Sequence, residues 1–292
     1  MKMMKIAVLT DSSAYLTQAD IDRYHIYVVN DPVLFGNHVY HENVDLDSDK
    51  FYAMLKTEHV TPTTSQASNG EVQRVLDQAL ADGYDTAIVV GLSSGISGFI
   101  SNVTAYAPSV TDIDVHVWDS RIACSGAGNQ VLLAAALAEK GMSVDEIFER
   151  LAQLRETTKV MFVVDDMRHL MRTGRISNGQ SLIGTMLQIK PMLAFTPEGK
   201  IVATGRERQM KRAFTTITTN FHKVVDSVDY PLRVSIVDAN NPQMKAQWLA
   251  AGAAEFPSVT FEDSIIGPLI GVHTGEKAMG FIYARDWQSF LN

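Results

Sequence analysis

The chain has 292 residues, 46% of them hydrophobic, which exceeds the roughly 100 to 200 residues of one domain and predicts two lobes with a sizeable core. A formal net charge of -8 with dispersed Lys and Arg leaves no electrostatic footprint for a nucleic-acid duplex, so nucleic acid is set aside as a partner. The lone cysteine, Cys124, excludes an intramolecular disulfide framework, and neither Ile6 to Leu9 nor Val131 to Ala138 reaches signal-peptide or membrane-span length, so a cytoplasmic protein without a membrane span is expected.

Short β-branched runs at Ile6 to Leu9, Ile26 to Val29, Ala87 to Leu92, Val115 to Trp118 and Val160 to Val164 alternate with helical patterns. That alternation reads as a parallel sheet covered by helices. A helix is predicted after Ser68, which forms a capping box with Glu71 and is followed by Val72, Val75, Leu76, Ala79 and Leu80 on one face. Ser143 and Glu146 repeat the device ahead of Ile147, Leu151 and Leu154.

Beyond Val164 the pattern changes. Met192 to Phe195 and Ile201 to Ala203 flank the turn-rich Thr196-Pro197-Glu198-Gly199-Lys200, which predicts an antiparallel hairpin. Arg233 to Val237 then reads as a strand and Pro242 to Glu255 as a helix. The expected architecture is therefore α/β in two lobes: residues 1–158 with a parallel helix-covered sheet, and residues 159–292 forming an α+β lobe with a mostly antiparallel sheet. No fixed-period repeat or low-complexity segment interrupts the chain.

Two loops concentrate hydroxyls ahead of helices: Thr61-Pro62-Thr63-Thr64-Ser65-Gln66-Ala67-Ser68 and Gly91-Leu92-Ser93-Ser94-Gly95-Ile96-Ser97-Gly98. Such loops aim N–H and O–H groups at a common point, an arrangement that attracts anions, although a single Gly/Ser turn with Ser97 as a cap would read the same way. The second loop also satisfies G-x-S-x-G, so a serine esterase with Ser93 as nucleophile, Asp238 or Asp263 as the acid and His273 as the base is the rival reading. It lacks an oxyanion loop of the HGGG type. No G-x-x-x-x-G-K-[ST], G-x-G-x-x-G or zinc spacing is present, so no metal and no nucleotide or other cofactor is expected. Asp165-Asp166 reads as a cap and Cys124 as a small core residue. The basic residues Arg168, Arg172 and Arg175, and then Arg206, Arg208, Lys211 and Arg212, fit either a solvated helix face or a docking surface for an acidic partner.

Six ordered motifs carry a resemblance. They are Asp11-Ser12-Ser13, Thr64-Ser65-Gln66-Ala67-Ser68, Leu92 to Gly98, Arg172-Thr173-Gly174-Arg175-Ile176-Ser177, Ile189-Lys190-Pro191-Met192-Leu193, and Gly267 to Gly275. The sequence resembles the DegV family over nearly its whole length, a family that includes the fatty-acid-binding B subunit of bacterial fatty acid kinase. The resemblance implies a non-enzymatic binder that encloses one long-chain fatty acid between its lobes. The carboxylate would be held by Thr64, Ser65, Ser93 and Ser94 with His273, and Ser97, Phe99 and Ile266 would lie beside the ligand. It further implies presentation of that carboxylate to a separate ATP-dependent kinase subunit for acyl-phosphate formation and phospholipid synthesis, with Arg172, Arg175 and Arg208 as docking residues and transient membrane contact for lipid exchange. Three departures from the family pattern, Ala67 for Pro, Phe99 for Thr and Glu276-Lys277 for Pro-Gly, leave the acyl-chain preference open.

Overall fold

The computed structural model describes residues 5–58, 60–177 and 189–291. In chain order the first lobe runs β1 (Ile6–Asp11), α1 (Gln18–Tyr24), β2 (Tyr27–Val29), β3 (Pro32–Phe35), β4 (His38–His41), α2 (Ser48–Thr57), β5 (Thr63–Thr64), α3 (Asn69–Ala81), β6 (Thr86–Gly91), α4 (Phe99–Tyr106), β7 (Asp114–Asp119), α5 (Ser125–Glu139) and α6 (Val144–Thr157). The chain continues with β8 (Lys159–Val163), α7 (Arg168–Thr173), β9 (Lys190–Phe195), β10 (Ile201–Glu207), α8 (Met210–Val225), β11 (Leu232–Asp238), α9 (Pro242–Glu255), β12 (Thr260–Ile265), α10 (Pro268–Thr274) and β13 (Met279–Arg285).

The first sheet has the order β2-β1-β6-β7 and every pairing in it is parallel. Helices cover both faces, so β1 and β6 are buried at every residue and read as unbroken apolar runs. Helices α3 and α4 pack one face through Val72, Val75, Leu76, Phe99 and Val103, while α5 and α6 pack the other through Val131, Leu133, Ile147 and Leu151. Both predicted capping boxes form: the Ser68 and Ser143 hydroxyls accept from the Glu71 and Glu146 amides, and each Glu reaches back to its cap.

The second sheet has the order β10-β9-β8-β13-β11-β12, antiparallel throughout except for the parallel β11–β12 pair. One face packs against α8 and α9 through Ile217, Phe221, Trp248 and Phe256. The other turns toward the first lobe, where Val160, Phe162, Leu193, Val237 and Ile282 share a core with Leu92, Ile122 and Ala127. Helix α5 is buried along Ser125 to Leu137 because it is trapped between the two sheets: a Cβ on Gly126 would stand 3.2 Å from Ile282. Trp287 and Phe290, beyond β13, join the core beneath α5 and α6.

One expectation is corrected and one small sheet is added. Val160 to Val164 is not a strand of the parallel sheet, since β8 pairs antiparallel with β13 and β9; a buried strand has the same apolar pattern in either sheet, and only its partners decide. A small antiparallel sheet, β4-β3-β5, was also unforeseen, because Thr63–Thr64 is too short to show a period.

Candidate functional site

The two lobes enclose a cavity of about 380 Å³, a volume typical of small-molecule sites. Its apolar wall comes from the second sheet, through Val160, Phe162, Phe195, Ile201, Val237 and Ile282, and from Leu92, Ile96, Ile266 and Leu269. Its polar wall comprises Asp31, Thr64, Ser65, Gln66, Ser97, Arg175 and His273.

A chain of contacts gathers those polar groups. Thr64 is placed by the β3–β5 pairing, Val33 opposite Thr64, and the Ser65 N–H donates to the Pro32 carbonyl at 3.2 Å. Thr64 Oγ1 lies 2.9 Å from His273 Nε2 on α10, so a loop of the first lobe meets a helix of the second. The Gln66 amide packs closely on Gly98, where a Cβ would come within 2.0 Å of Gln66 Oε1 and would displace that side chain. Arg175 follows the left-handed Gly174 that ends α7, and its Nε donates to the Ile96 carbonyl at 3.3 Å. Arg172 spans the lobes, donating to the carbonyls of Pro62 at 3.3 Å and Val272 at 3.5 Å.

Burial and the nearby guanidinium groups of Arg175 and Arg172 hold His273 down at about 3. It is therefore a neutral imidazole at physiological pH, and its buried Nδ1 has no hydrogen-bond partner among the described residues. Three buried carboxyls cluster here, Asp31 in the polar wall and Asp11 and Glu42 outside the lining. Asp11 accepts from Ser13 and, at 2.7 Å, from the Leu92 amide; Asp31 accepts from the Ala67 amide at 3.1 Å; Glu42 accepts from the Leu269 amide at 2.9 Å. Burial pushes Glu42 up to about 7. The Ala67 bond gives one departure from the family pattern a structural role, since a proline there would have no N–H to donate to Asp31.

Of the residues expected at the site, Thr64, Ser65, Ser97, Ile266 and His273 line the cavity. Others are placed elsewhere. The Ser93 hydroxyl is fully buried and donates to the Gly199 carbonyl at 2.8 Å, and Ser94 Oγ donates to Asp119 Oδ2 at 2.5 Å; neither residue lines the cavity. Gly95 also lies against this hairpin, where a Cβ would come within 2.4 Å of the Gly199 carbonyl. The G-x-S-x-G segment is thus a clamp joining the second loop to the β9–β10 turn. The esterase arrangement is not assembled: Ser93 is bonded to a carbonyl, His273 to Thr64, and Asp238 pairs with Lys245 at 2.9 Å. Phe99 is buried in the core under α3 and α4, away from the cavity lining. Arg175, expected at a docking surface, is in the cavity wall, whereas Arg208 is exposed between β10 and α8. Glu276 and Lys277 line a separate surface groove with Arg172, and Glu276 pairs with Lys56 at 2.7 Å.

Asp31, Gln66 and Phe195 went unrecognised as cavity residues. Asp31 sits between two strands with no spacing that marks it, and Phe195 reads as an ordinary strand residue. No group of His, Cys, Asp and Glu among the described residues is arranged to hold a metal ion. No described helix is long and apolar enough to cross a membrane.

A family model described as uncharacterised proteins of the DegV family matches residues 5–286. Protein DegV of Bacillus subtilis is 36% identical over 284 residues, covering 96% of this chain and 99% of that protein. The crystal structure of DegV from Bacillus subtilis, described as a fatty acid binding protein, superposes with a TM-score of 0.88 at 35% identity and covers 97% of this chain and 99% of that one. A fatty acid binding DegV family protein from Streptococcus agalactiae gives a TM-score of 0.88 at 30% identity, with 97% and 99% covered. With one model spanning nearly all of its residues and both lobes shared with these structures, the chain belongs to the DegV family.

Proposed function

We propose that this chain binds one long-chain fatty acid in the interlobe cavity and presents its carboxylate to a separate ATP-dependent kinase subunit that forms the acyl phosphate. The observation that carries the reading is the cavity itself: an apolar wall supplied by a sheet, closed by Thr64, Ser65, Ser97, Arg175 and His273, in the fold of relatives described as fatty acid binding proteins. Burying an acyl chain gains roughly 0.8 kcal/mol per methylene, on the order of 10 kcal/mol for a long chain before ordering costs. The chain supplies affinity. A carboxylate taken from water must be hydrogen-bonded, at roughly 1.5 to 3 kcal/mol per charged bond, so the polar wall fixes which end of the ligand is held there. Arg175 offers the charge complement and Thr64 the hydroxyl donor, with neutral His273 accepting or donating according to its tautomer.

Presentation to a kinase is supported by the family resemblance and by the exposed Arg208 on the β10–α8 corner. Phosphoryl transfer would belong to the partner, and this chain's part is to enclose the acyl group and orient the carboxylate. Denaturing mass spectrometry of the purified protein tests the reading directly. A fatty acid at near one per chain is expected from the wild type, and a several-fold lower yield from Thr64→Val. Arg208→Glu is expected to retain its lipid while losing acyl-phosphate formation with the kinase subunit. A wild-type protein that carries no lipid and takes up none on incubation with oleate would sink the proposal.

A further inference from the structure

Asp31 brings a carboxyl group into the wall of the cavity proposed to receive a carboxylate. It is 1% exposed and lies between β2 and β3. Its Oδ1 accepts from the Ala67 amide at the end of the hydroxyl loop, and its Oδ2 lies 3.5 Å from the Ser12 hydroxyl. Asp11, at the end of β1, and Glu42, after β4, stand behind it, both fully buried. Their donors are amides and hydroxyls, and among the described residues no ion pair reaches any of the three carboxyls. From the other elements, Tyr15, Tyr52 on α2 and Cys124 at the start of α5 face the same cluster, and none of them can carry positive charge. Arg175 and the neutral His273 line the same cavity as Asp31.

One guanidinium can balance one anion. A ligand carboxylate entering beside an ionised Asp31 would leave a second negative charge in a low-dielectric site, the situation in which two carboxyls share a proton. We propose that Asp31 is protonated in the fatty-acid complex, so that the cavity takes up one proton with each fatty-acid anion and recognises the carboxylate with a carboxylic acid at its side. The inference rests on the fatty-acid reading above. The proton comes from solvent and ends on an Asp31 oxygen, so anion and proton enter together and the charge of the site is unchanged. Burial, Asp11 and Glu42 raise Asp31 in the protein without ligand, and a bound carboxylate raises it further, so a proton is taken up with the ligand wherever the ligand-free protein has released it.

Titration calorimetry of the delipidated full-length protein with palmitate, in phosphate and in Tris at matched pH between 6 and 9, measures the protons taken up. Uptake rising toward one per palmitate is expected, with affinity falling about tenfold per pH unit over the same window. Asp31→Asn mimics the protonated carboxyl and is expected to bind palmitate with no pH slope; Glu42→Gln, which removes a neighbouring carboxyl raised to about 7, is expected to keep the slope. Hexadecanol, uncharged, should bind the wild type equally across the range. Equal binding enthalpies in the two buffers at every pH overturn the inference, whether or not Asp31→Asn folds, and so does an Asp31→Asn protein that keeps the wild-type slope. Failure of palmitate to bind the wild type at any pH defeats the fatty-acid reading instead.

Discussion

Glu42 illustrates how far a single residue's environment outruns its sequence. Following His41 in an unremarkable stretch, it is fully buried, accepts from the Leu269 amide and leaves Oε2 without a hydrogen-bond partner among the described residues. Burial raises it from 4.5 to about 7. Between those values the folded protein keeps a proton that the unfolded chain has lost, so Glu42's contribution to stability is fully present below 4.5 and is lost as pH rises through about 7. The loss is on the order of 3 kcal/mol, since each pKa unit is worth about 1.4 kcal/mol. Glu42→Gln is expected to flatten this part of the profile, giving a higher Tm than the wild type at pH 8 and a similar one at pH 4.5; thermal melts at the two values decide it. The opposite change, a variant less stable only at pH 8, would show that the ionised group is the stabilising form. Thr64, Ser65 and Ser97 line the cavity and belong to the hydroxyl-rich loops that the sequence marks, whereas His273 was named as a ligand residue through the family resemblance. Asp31 was not legible in the sequence, because an acid between two strands has no pattern until a cavity forms beside it.

At the scale of elements, local rules read well where the chemistry is local. The capping boxes of α3 and α6 form because cap and partner are three residues apart. The β9–β10 hairpin was likewise announced by its turn residues. The role of Ser93 could not be read this way, since its partner, Gly199, is 106 positions away. That bond ties the loop after β6 to the β9–β10 turn, and Gly95 is small enough to let the two segments touch. Ser93→Ala leaves the Gly199 carbonyl without this donor, at a cost of about 1 to 3 kcal/mol. A Tm lower by several degrees and faster release of bound lipid are expected, measured by calorimetry and by transfer to acceptor vesicles. Unchanged stability would remove the clamp from the account. A loss of hydrolytic activity would restore the nucleophile reading.

At the scale of the whole molecule, the cavity exists because two sheets of different topology face each other across α5. Phe195 lines both this cavity and a second one of about 210 Å³ that also meets Arg121, Arg155 and Lys159. Its ring lies 6.2 Å from that of Phe162, which lines the first cavity. Phe195→Ala is expected to join the two spaces and shift the recovered fatty acids toward longer chains, read by mass spectrometry of the extracted lipid. An unchanged chain-length distribution would place the limiting wall elsewhere.

The sequence by itself determined the two-lobed α/β class, the first lobe's parallel strands, the hairpin and both hydroxyl loops, because alternation, caps and turns are decided by neighbours along the chain. Only the tertiary structure decided that β8 pairs with β13 and β9, that Ser93 is a clamp while Thr64 faces the cavity, that Arg175 lies inside while Arg208 stays exposed, and that Asp31 shares the cavity wall. Those outcomes depend on partners tens or hundreds of residues away, and on the burial they create: a hydroxyl, a guanidinium or a carboxyl acquires its chemistry from what the folded chain places beside it.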